Sequence, residues 1–267
     1  MLPTNSIGIF DSGVGGLSVL QAVASLLPRE RVCYVADAAR CPYGPRPAGE
    51  VLEFSLGIVK FLLSKKCKLI VVACNTATAA AIDELRRAFP RVPFVGMEPA
   101  VKPAAEQSKT RSVGILATAG TLQGRLFSDA KERYAAGVKV HVAAGNGLVE
   151  LVEQGREDSP EALALLRTCL QPMLDDSVDE LVLGCTHYPF LKNSIEKIAQ
   201  GRMAIVNPAP AVAAQARRLL EQRNLLSSEA GAHAFYEFFS SGSVSTLALM
   251  QKRHLPQLSE RCSYEKL

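Results

Sequence analysis

Short, unbroken apolar runs recur along this chain, and each is followed by small or polar residues that can begin a helix. Two such runs, 69–73 and 181–184, do not alternate between apolar and polar positions, so they predict strands buried on both faces. Because the runs alternate with amphipathic segments, the sequence predicts an α/β fold with mainly parallel sheets flanked by helices. The predicted strands are 6–10, 31–36, 68–73, 93–96, 112–117, 138–143, 180–184 and 204–207. The predicted helices include 16–27, 49–64, 76–89, 121–134, 160–174, 189–199 and 209–223.

The two halves of the chain also echo each other. Segment 7–13 resembles segment 113–120, and the runs at 69–73 and 181–184 repeat at nearly the same spacing, roughly 110 residues. Two repeats at one spacing favour two similar α/β domains, although any two α/β units share apolar strands followed by small residues. A cleft between such domains is a favoured place for a small-molecule site, and we expect the active site there.

The composition limits the classes of partner. The net charge is +4 with acids and bases interspersed, which suits a small anionic ligand and shows no basic stripe for nucleic acid. No apolar run approaches the roughly 20 residues of a membrane span, and the first residues lack the features of a signal peptide. The seven cysteines are odd in number and scattered, which argues against a disulfide framework and predicts a cytoplasmic protein.

Cys74 follows the first of the two runs and precedes a strongly helical segment. We therefore place it at a strand-to-helix turn, where free backbone N–H groups favour anions and lower the pKa of a thiol. Asn75 and Thr76 add an amide and a hydroxyl that can hold a carboxylate. The structural alternative is a buried cysteine that packs as a small hydrophobic side chain.

Cys185 supplies a matching thiol after the second run, and ligands of parallel sheets bind beyond the carboxyl ends of the strands. Thr186 adds a hydroxyl, and His187 can donate a proton, orient a carboxylate or tune the thiol; a locally bonded histidine is the structural alternative. No metal is predicted, because structural zinc normally has four ligands at short spacings. Two thiols that face one ligand from opposite sides suit an enzyme that takes a proton from one face and returns one to the other.

Two loops add polar candidates. Asp11 and Ser12 begin a glycine-rich loop that departs from the G-x-G-x-x-G nucleotide pattern, and a carboxylate there suits an ammonium group better than a pyrophosphate. Asp37 follows the second predicted strand, and Tyr43 and Gly44 come shortly after it, where they can contact a ligand. Structural turns are the alternative for both loops.

These residues resemble motifs of a known family, the bacterial glutamate racemases, within the cofactor-independent aspartate and glutamate racemases. The matching motifs are Gly-Ile-Phe-Asp-Ser-Gly-Val-Gly-Gly at 8–16, Pro-Tyr-Gly at 42–44, Ala-Cys-Asn-Thr-Ala at 73–77 and Gly-Cys-Thr-His-Tyr-Pro at 184–189. They lie in the expected order over about 180 residues. The residues after His254 match no motif of the family.

The resemblance implies the roles of the residues. Cys74 and Cys185 are the two acid/base groups; Cys74 takes the α-proton from D-glutamate and Cys185 takes it from L-glutamate. Asp11, Glu153 and His187 assist the thiols, and Asp37 is a further assisting acid. The implied substrate-binding residues are Asp11, Ser12, Tyr43, Gly44, Asn75, Thr76, Thr118, Thr121, Thr186 and His187.

The resemblance also implies the organisation of the protein. It predicts two domains, 1–97 with 209–267 and 98–208, and an enzyme without pyridoxal phosphate, metal or nucleotide. The family implies L- and D-glutamate as substrate, a role in supplying D-glutamate for peptidoglycan, and a homodimer as a common state. Three other classes remain open: a racemase of aspartate, hydantoin or a substituted malonate, a thiol redox protein, and a sensor that binds glutamate without turnover.

Overall fold

The computed structural model describes residues 1–98, 100–227 and 234–267. The chain divides into two compact units. The first unit comprises Met1–Met97 and Ala209–Leu267, and the second comprises Glu98–Pro208. Each unit contains its own parallel sheet with helices packed against it.

Strands and helices alternate along most of the chain. The strands are β1 (Ile7–Asp11), β2 (Val32–Ala36), β3 (Leu69–Val72), β4 (Phe94–Gly96), β5 (Ser112–Ala117), β6 (Lys139–Ala144), β7 (Glu180–Gly184), β8 (Ala204–Val206), β9 (Tyr236–Ser240) and β10 (Cys262–Lys266). The helices are α1 (Leu17–Leu26), α2 (Ala48–Ser64), α3 (Asn75–Ala88), α4 (Val101–Gln107), α5 (Ala119–Leu122), α6 (Arg125–Tyr134), α7 (Leu148–Glu153), α8 (Pro160–Asp175), α9 (Lys192–Ala199), α10 (Ala209–Gln222) and α11 (Val244–His254). Among the described residues, none of the helices combines the length and apolar character needed to cross a membrane.

The first unit is built on a six-stranded parallel sheet in the order β10-β9-β2-β1-β3-β4. Strand β1 lies inside this sheet, and its side chains Ile7, Ile9 and Phe10 are completely buried. Since all strands run in the same direction, their carboxyl ends share one edge of the sheet. Asp11, the last residue of β1, and Cys74, two residues beyond β3, therefore lie at that edge.

The second unit is built on a four-stranded parallel sheet in the order β6-β5-β7-β8. Its core includes Val113, Ile115 and Val182 from the two inner strands and Val101 from α4. Gly184, at the end of β7, lies so close to β5 that a Cβ there would be 2.7 Å from the Cβ of Ala117. The strand can carry only glycine at this position without a shift of the neighbouring backbone.

The two sheets share one strand order. The order β6-β5-β7-β8 of the second unit corresponds to β2-β1-β3-β4 of the first, so β5 is equivalent to β1 and β7 to β3. The segments 7–13 and 113–120, which echo each other in sequence, thus fall on equivalent strands and the loops that follow them. Cys74 follows β3 and Cys185 follows β7, so the two cysteines occupy equivalent places in the two sheets. This is what two similar domains predict.

The predicted parallel α/β architecture is confirmed, and each of the eight predicted strands lies within one residue of its observed ends. Two predicted helices differ. Segment 121–134 is divided into α5 and α6, because Thr118 caps an earlier start and Gly124 is extended. Segment 189–199 begins as a 3₁₀ turn, Tyr188–Leu191, with Pro189 in its first positions, and becomes α-helical at Lys192.

Candidate active site

Cys74 lies between the carboxyl end of β3 and the start of α3. It is the N-cap residue of that helix: its backbone is extended, and its Sγ accepts a hydrogen bond of 3.4 Å from the backbone N–H of Ala77. The thiol also donates to the hydroxyl of Ser12 at 3.8 Å. Cys74 is 5% exposed. An N–H group and the positive end of a helix dipole both stabilise negative charge on this sulfur.

Asp11 organises the loop that carries Ser12. Its Oδ2 accepts hydrogen bonds from the backbone N–H groups of Gly13 at 3.2 Å and Gly16 at 3.0 Å, and the side chain is fully buried. A Cβ at Gly16 would lie 2.7 Å from the Cβ of Asp11, so a side chain there would displace the carboxylate. The loop is thus fixed by its own aspartate, which also places a buried negative charge close to the Cys74 loop.

Asp37 and Tyr43 form a second buried pair in the first unit. The phenol of Tyr43 donates to Oδ2 of Asp37 at 2.5 Å, and both side chains are at most 1% exposed. Burial raises the pKa of Tyr43 far above its ordinary value of 10, and the charge and hydrogen bond of Asp37 raise it further. Tyr43 therefore remains a protonated donor throughout the working range of an enzyme. The sequence predicted both residues as site candidates but not that one holds the other.

The raised pKa of Tyr43 predicts a change in the pH dependence of stability. When folding raises the pKa of a tyrosine, the folded and unfolded chains both keep the phenol proton below about pH 10. At higher pH only the unfolded chain releases it, so the free energy of unfolding falls as the pH rises. Tyr43→Phe should therefore flatten the fall in unfolding free energy above about pH 10 by up to about 1.4 kcal/mol per pH unit. Urea unfolding at a series of alkaline pH values measures this slope.

The matched control is Tyr134→Phe, which removes a tyrosine that is 39% exposed. It should leave the slope as in the parent chain. Equal slopes for the parent chain and Tyr43→Phe would contradict the buried, hydrogen-bonded state of this phenol.

Asn75 and Thr76 form the first turn of α3 beside the thiol. Asn75 is 4% exposed, and neither its amide nitrogen nor its amide oxygen has a hydrogen-bond partner among the described residues. Burying an amide without a partner is unfavourable, so this amide is available to bond a ligand. Thr76 is also buried and brings its hydroxyl to the same turn.

Cys185 occupies the equivalent position in the second unit, directly after β7. Its Sγ lies 3.7 Å from Nδ1 of His187, and Nε2 of His187 lies 2.6 Å from Oε1 of Glu153. The imidazole is 1% exposed, and Glu153 is the last residue of α7. With Glu153 ionised, Nε2 carries the ring proton and Nδ1 presents a lone pair to the thiol. The three residues thus form a chain along which the sulfur can lose or regain a proton.

Three threonines surround the ends of β5 and β7. Thr118 follows β5 and caps α5, and its hydroxyl lies 2.9 Å from that of Thr121. Thr186 is 3% exposed and lies between the cysteine and the histidine in sequence. The structure places the predicted residues at the carboxyl ends of the strands in their own units, where hydroxyl groups can bind a polar ligand.

Two buried tyrosines that were not among the predicted site residues support these loops. The phenol of Tyr188 donates to the carbonyl of Gly145 at 3.2 Å. Burial raises the pKa of Tyr188, and the charge of the nearby Cys185 raises it further. The phenol of Tyr34 donates to the carbonyl of Gly13 at 2.9 Å. Neither contact has a local sequence signal, since donor and acceptor are far apart in the chain.

The thiols are supported in different ways. Cys74 has a serine hydroxyl and a backbone N–H, whereas Cys185 has an imidazole backed by a carboxylate. All seven cysteines of the chain are free, so both sulfurs are available as thiol or thiolate. Two thiols in equivalent positions, each with its own polar partners, are groups that can act as acid and base.

A family model described as Asp/Glu/Hydantoin racemase matches residues 7–216 of this chain. The chain belongs to this racemase family. A similar curated protein is the glutamate racemase of Roseiflexus sp. (strain RS-1), which is 49% identical over 220 residues, 82% of this chain and 81% of the relative.

Solved structures of glutamate racemases are also similar. The isoform RacE1 of Bacillus anthracis is 35% identical with a TM-score of 0.85, and 94% of each chain is covered. The enzyme of Francisella tularensis, solved in complex with D-glutamate, is 26% identical with a TM-score of 0.84 and coverages of 98% and 97%. These relatives confirm the recognition of the glutamate racemases from the cysteine motifs and, with it, an isomerase activity.

Proposed function

We propose that this chain interconverts L- and D-glutamate by proton transfer at the α-carbon, with Cys74 and Cys185 as the two acid/base groups and without a cofactor. The observation that carries the proposal is the pair of buried thiols at equivalent strand ends of the two sheets, each with separate proton-handling contacts. The relatives that carry the name glutamate racemase, and the D-glutamate complex of one of them, support glutamate as the substrate.

The proton balance closes with two thiols alone. The thiolate of Cys74 removes the α-proton of D-glutamate, and the thiol of Cys185 delivers its own proton to the opposite face, which gives L-glutamate. In the reverse direction, Cys185 removes the proton and Cys74 returns one. Each turnover leaves the two sulfurs with exchanged protonation states, and no electrons are gained or lost.

Substrate binding is assigned by the chemistry of the side chains. The unpartnered amide of Asn75, the hydroxyl of Thr76 and the backbone N–H groups at the start of α3 suit a carboxylate, as do the hydroxyls of Thr118, Thr121 and Thr186. The buried charge of Asp11 suits the substrate ammonium group. Ser12, Tyr43, Gly44 and His187 complete the proposed set.

The α-hydrogen of an amino acid is a very weak acid compared with a thiol, whose reference pKa is about 8.5. The site must therefore stabilise the charge that develops when the proton leaves. Backbone N–H groups held in place at the start of α3 can do so without reorganising when the substrate carboxylate binds there. In the second unit, His187 and Glu153 hold the proton of Cys185 in reach of the sulfur.

We place this activity in the cytoplasm, as a source of D-glutamate for peptidoglycan synthesis, and propose a homodimer as its assembly. The seven free cysteines support a reducing compartment, and family membership supports the biosynthetic role.

The test is incubation of the pure protein with L-glutamate in deuterium oxide, with no added cofactor, followed by chiral chromatography and mass spectrometry. We expect an approach to equal amounts of the two enantiomers, with solvent deuterium at the α-carbon of the product. L-Aspartate is the control substrate and should remain unchanged. Turnover of aspartate in place of glutamate, or binding of glutamate without turnover, would overturn the proposal.

A further inference from the structure

The carboxylate of Asp37 has a third partner besides Tyr43 and Arg40. The hydroxyl of Ser241 donates to Oδ1 of Asp37 at 2.6 Å, while Tyr43 donates to Oδ2 at 2.5 Å. Arg40 lies 3.2 and 3.3 Å from the two oxygens through one guanidinium nitrogen, but its side chain is 46% exposed and rests on the ring of Phe54. Two short O–H donors, one on each oxygen, therefore set the plane of a carboxylate that is itself fully buried.

Ser241 is held in place by the backbone on both sides. Its N–H donates to the carbonyl of Ala36 at 3.0 Å, which extends the pairing of β9 with β2, and its hydroxyl accepts from the N–H of Ala39 at 3.1 Å. Lys266, in β10, donates to the carbonyl of Ser241 at 2.8 Å. A Cβ at Gly242 would lie 2.8 Å from the Cβ of Ala38, so the turn lies directly against the loop that carries Asp37.

Ser241 lies outside residues 7–216, the part of the chain that the racemase family model matches. The C-terminal strands thus contribute a polar group to a pair that lies within the matched part. A purely structural turn needs no buried carboxylate as its partner, since Ser241 already bonds Ala36 and Ala39 through its backbone and hydroxyl. The hydroxyl proton instead goes to the carboxylate that orients the Tyr43 phenol.

We propose that Ser241 is a positioning residue that fixes Asp37 and, through it, the direction of the Tyr43 hydroxyl in the substrate site. The inference rests on the proposed function, in which Tyr43 contacts glutamate. When the hydroxyl of Ser241 is absent, the carboxylate can rotate, and Tyr43 loses its fixed acceptor although its ring stays packed against Phe54. The loss should weaken binding of the substrate and its transition state equally, which raises KM and leaves kcat nearly constant.

The experiment compares the steady-state kinetics of five full-length variants. Ser241→Ala should raise KM for both enantiomers about five-fold with kcat within about two-fold, and Ser241→Thr should restore KM. Ser243→Ala is the matched control: its hydroxyl caps α11 through the N–H of Thr246 at 3.1 Å, so it should lower the melting temperature without changing KM. Ser241→Ala in a Tyr43→Phe background should raise KM no further than Tyr43→Phe alone.

A second readout does not depend on turnover. Because the chain has six tyrosines and no tryptophan, the ultraviolet difference spectrum between the parent chain and Tyr43→Phe isolates one phenol. Ser241→Ala should change the absorption that this difference spectrum assigns to Tyr43, and Ser243→Ala should leave it unchanged. If alanine prevents folding, Ser241→Cys, a weaker donor of similar size, allows the same comparison.

The outcomes separate the two proposals. A parent chain that does not racemise glutamate overturns the proposed function, whatever the spectra show. A racemising parent chain with unchanged KM and unchanged Tyr43 spectrum in Ser241→Ala overturns only the role of Ser241. Additive effects of Ser241→Ala and Tyr43→Phe on KM also overturn it, because the serine would then act independently of the phenol.

Discussion

Cys74→Ala and Cys185→Ala should each reduce glutamate racemisation by about 10³-fold or more in both directions. In the proposed scheme one thiol removes the proton and the other returns one to the opposite face, so the loss of either stops the reaction in both directions. Chiral chromatography after long incubation at high enzyme concentration measures the residual rate. Cys169→Ala is the control, because this thiol lies on α8, half-buried, outside both sets of proposed contacts.

Cys→Ser variants separate the two thiols further. A glutamate analogue with a chlorine at carbon 3 can lose its α-proton and chloride together, which forms an enamine that hydrolyses to a 2-oxo acid and ammonia. This elimination needs one base and no proton return. Cys185→Ser retains Cys74 and should eliminate chloride only from the D-configured analogue, whereas Cys74→Ser should do so only from the L-configured analogue.

Chloride release from each enantiomer is therefore the decisive measurement. Racemisation that survives either alanine substitution would overturn the two-thiol scheme. Elimination from both enantiomers by a single serine variant would show that one base reaches both faces. Circular dichroism and melting temperatures equal to those of the parent chain exclude a folding defect as the cause of lost activity.

The positions of the thiols could be predicted because they depend on local signals. An unbroken apolar run such as 69–73 defines a doubly buried strand, and the residue that follows it must lie at the carboxyl edge of a parallel sheet. The capping contact of Cys74 with Ala77 follows from the same local geometry. Asp11 and His187 were found in the same way, from loops directly adjoining strands.

Contacts between distant segments could not be predicted from the residues alone. His187 and Glu153 are 34 residues apart, and Asp37 and Ser241 are 204 apart, so no period or motif spacing encodes their distances. Strands β9 and β10 were both missed. Strand β10 has the polar sequence Cys-Ser-Tyr-Glu-Lys, as suits the edge of a sheet rather than its centre. Strand β9 places Ser241 beside Asp37 only through its pairing with β2.

His187→Asn should lower kcat/KM by about 10²-fold, and by the same factor for L- and D-glutamate. The equality is thermodynamic: enantiomers have equal free energies, so the equilibrium constant is one and a substitution cannot favour either direction. Glu153→Gln retains a polar side chain but removes the charge behind the imidazole, and a smaller fall of about ten-fold is expected. His141→Asn, at a histidine on β6 that contacts Asp176, is the control.

The elimination reaction is not bound by that equality, because it is irreversible, and it therefore reveals which thiol the imidazole serves. The geometry places His187 at 3.7 Å from the sulfur of Cys185, so His187→Asn should slow chloride loss from the L-configured analogue and spare the D-configured one. Slower elimination from the D-configured analogue instead would assign the imidazole to the chemistry of Cys74. An equal slowing of elimination from both analogues would show that His187 binds the substrate rather than handling the proton of one cysteine, since only a group tied to one sulfur can distinguish the two enantiomers.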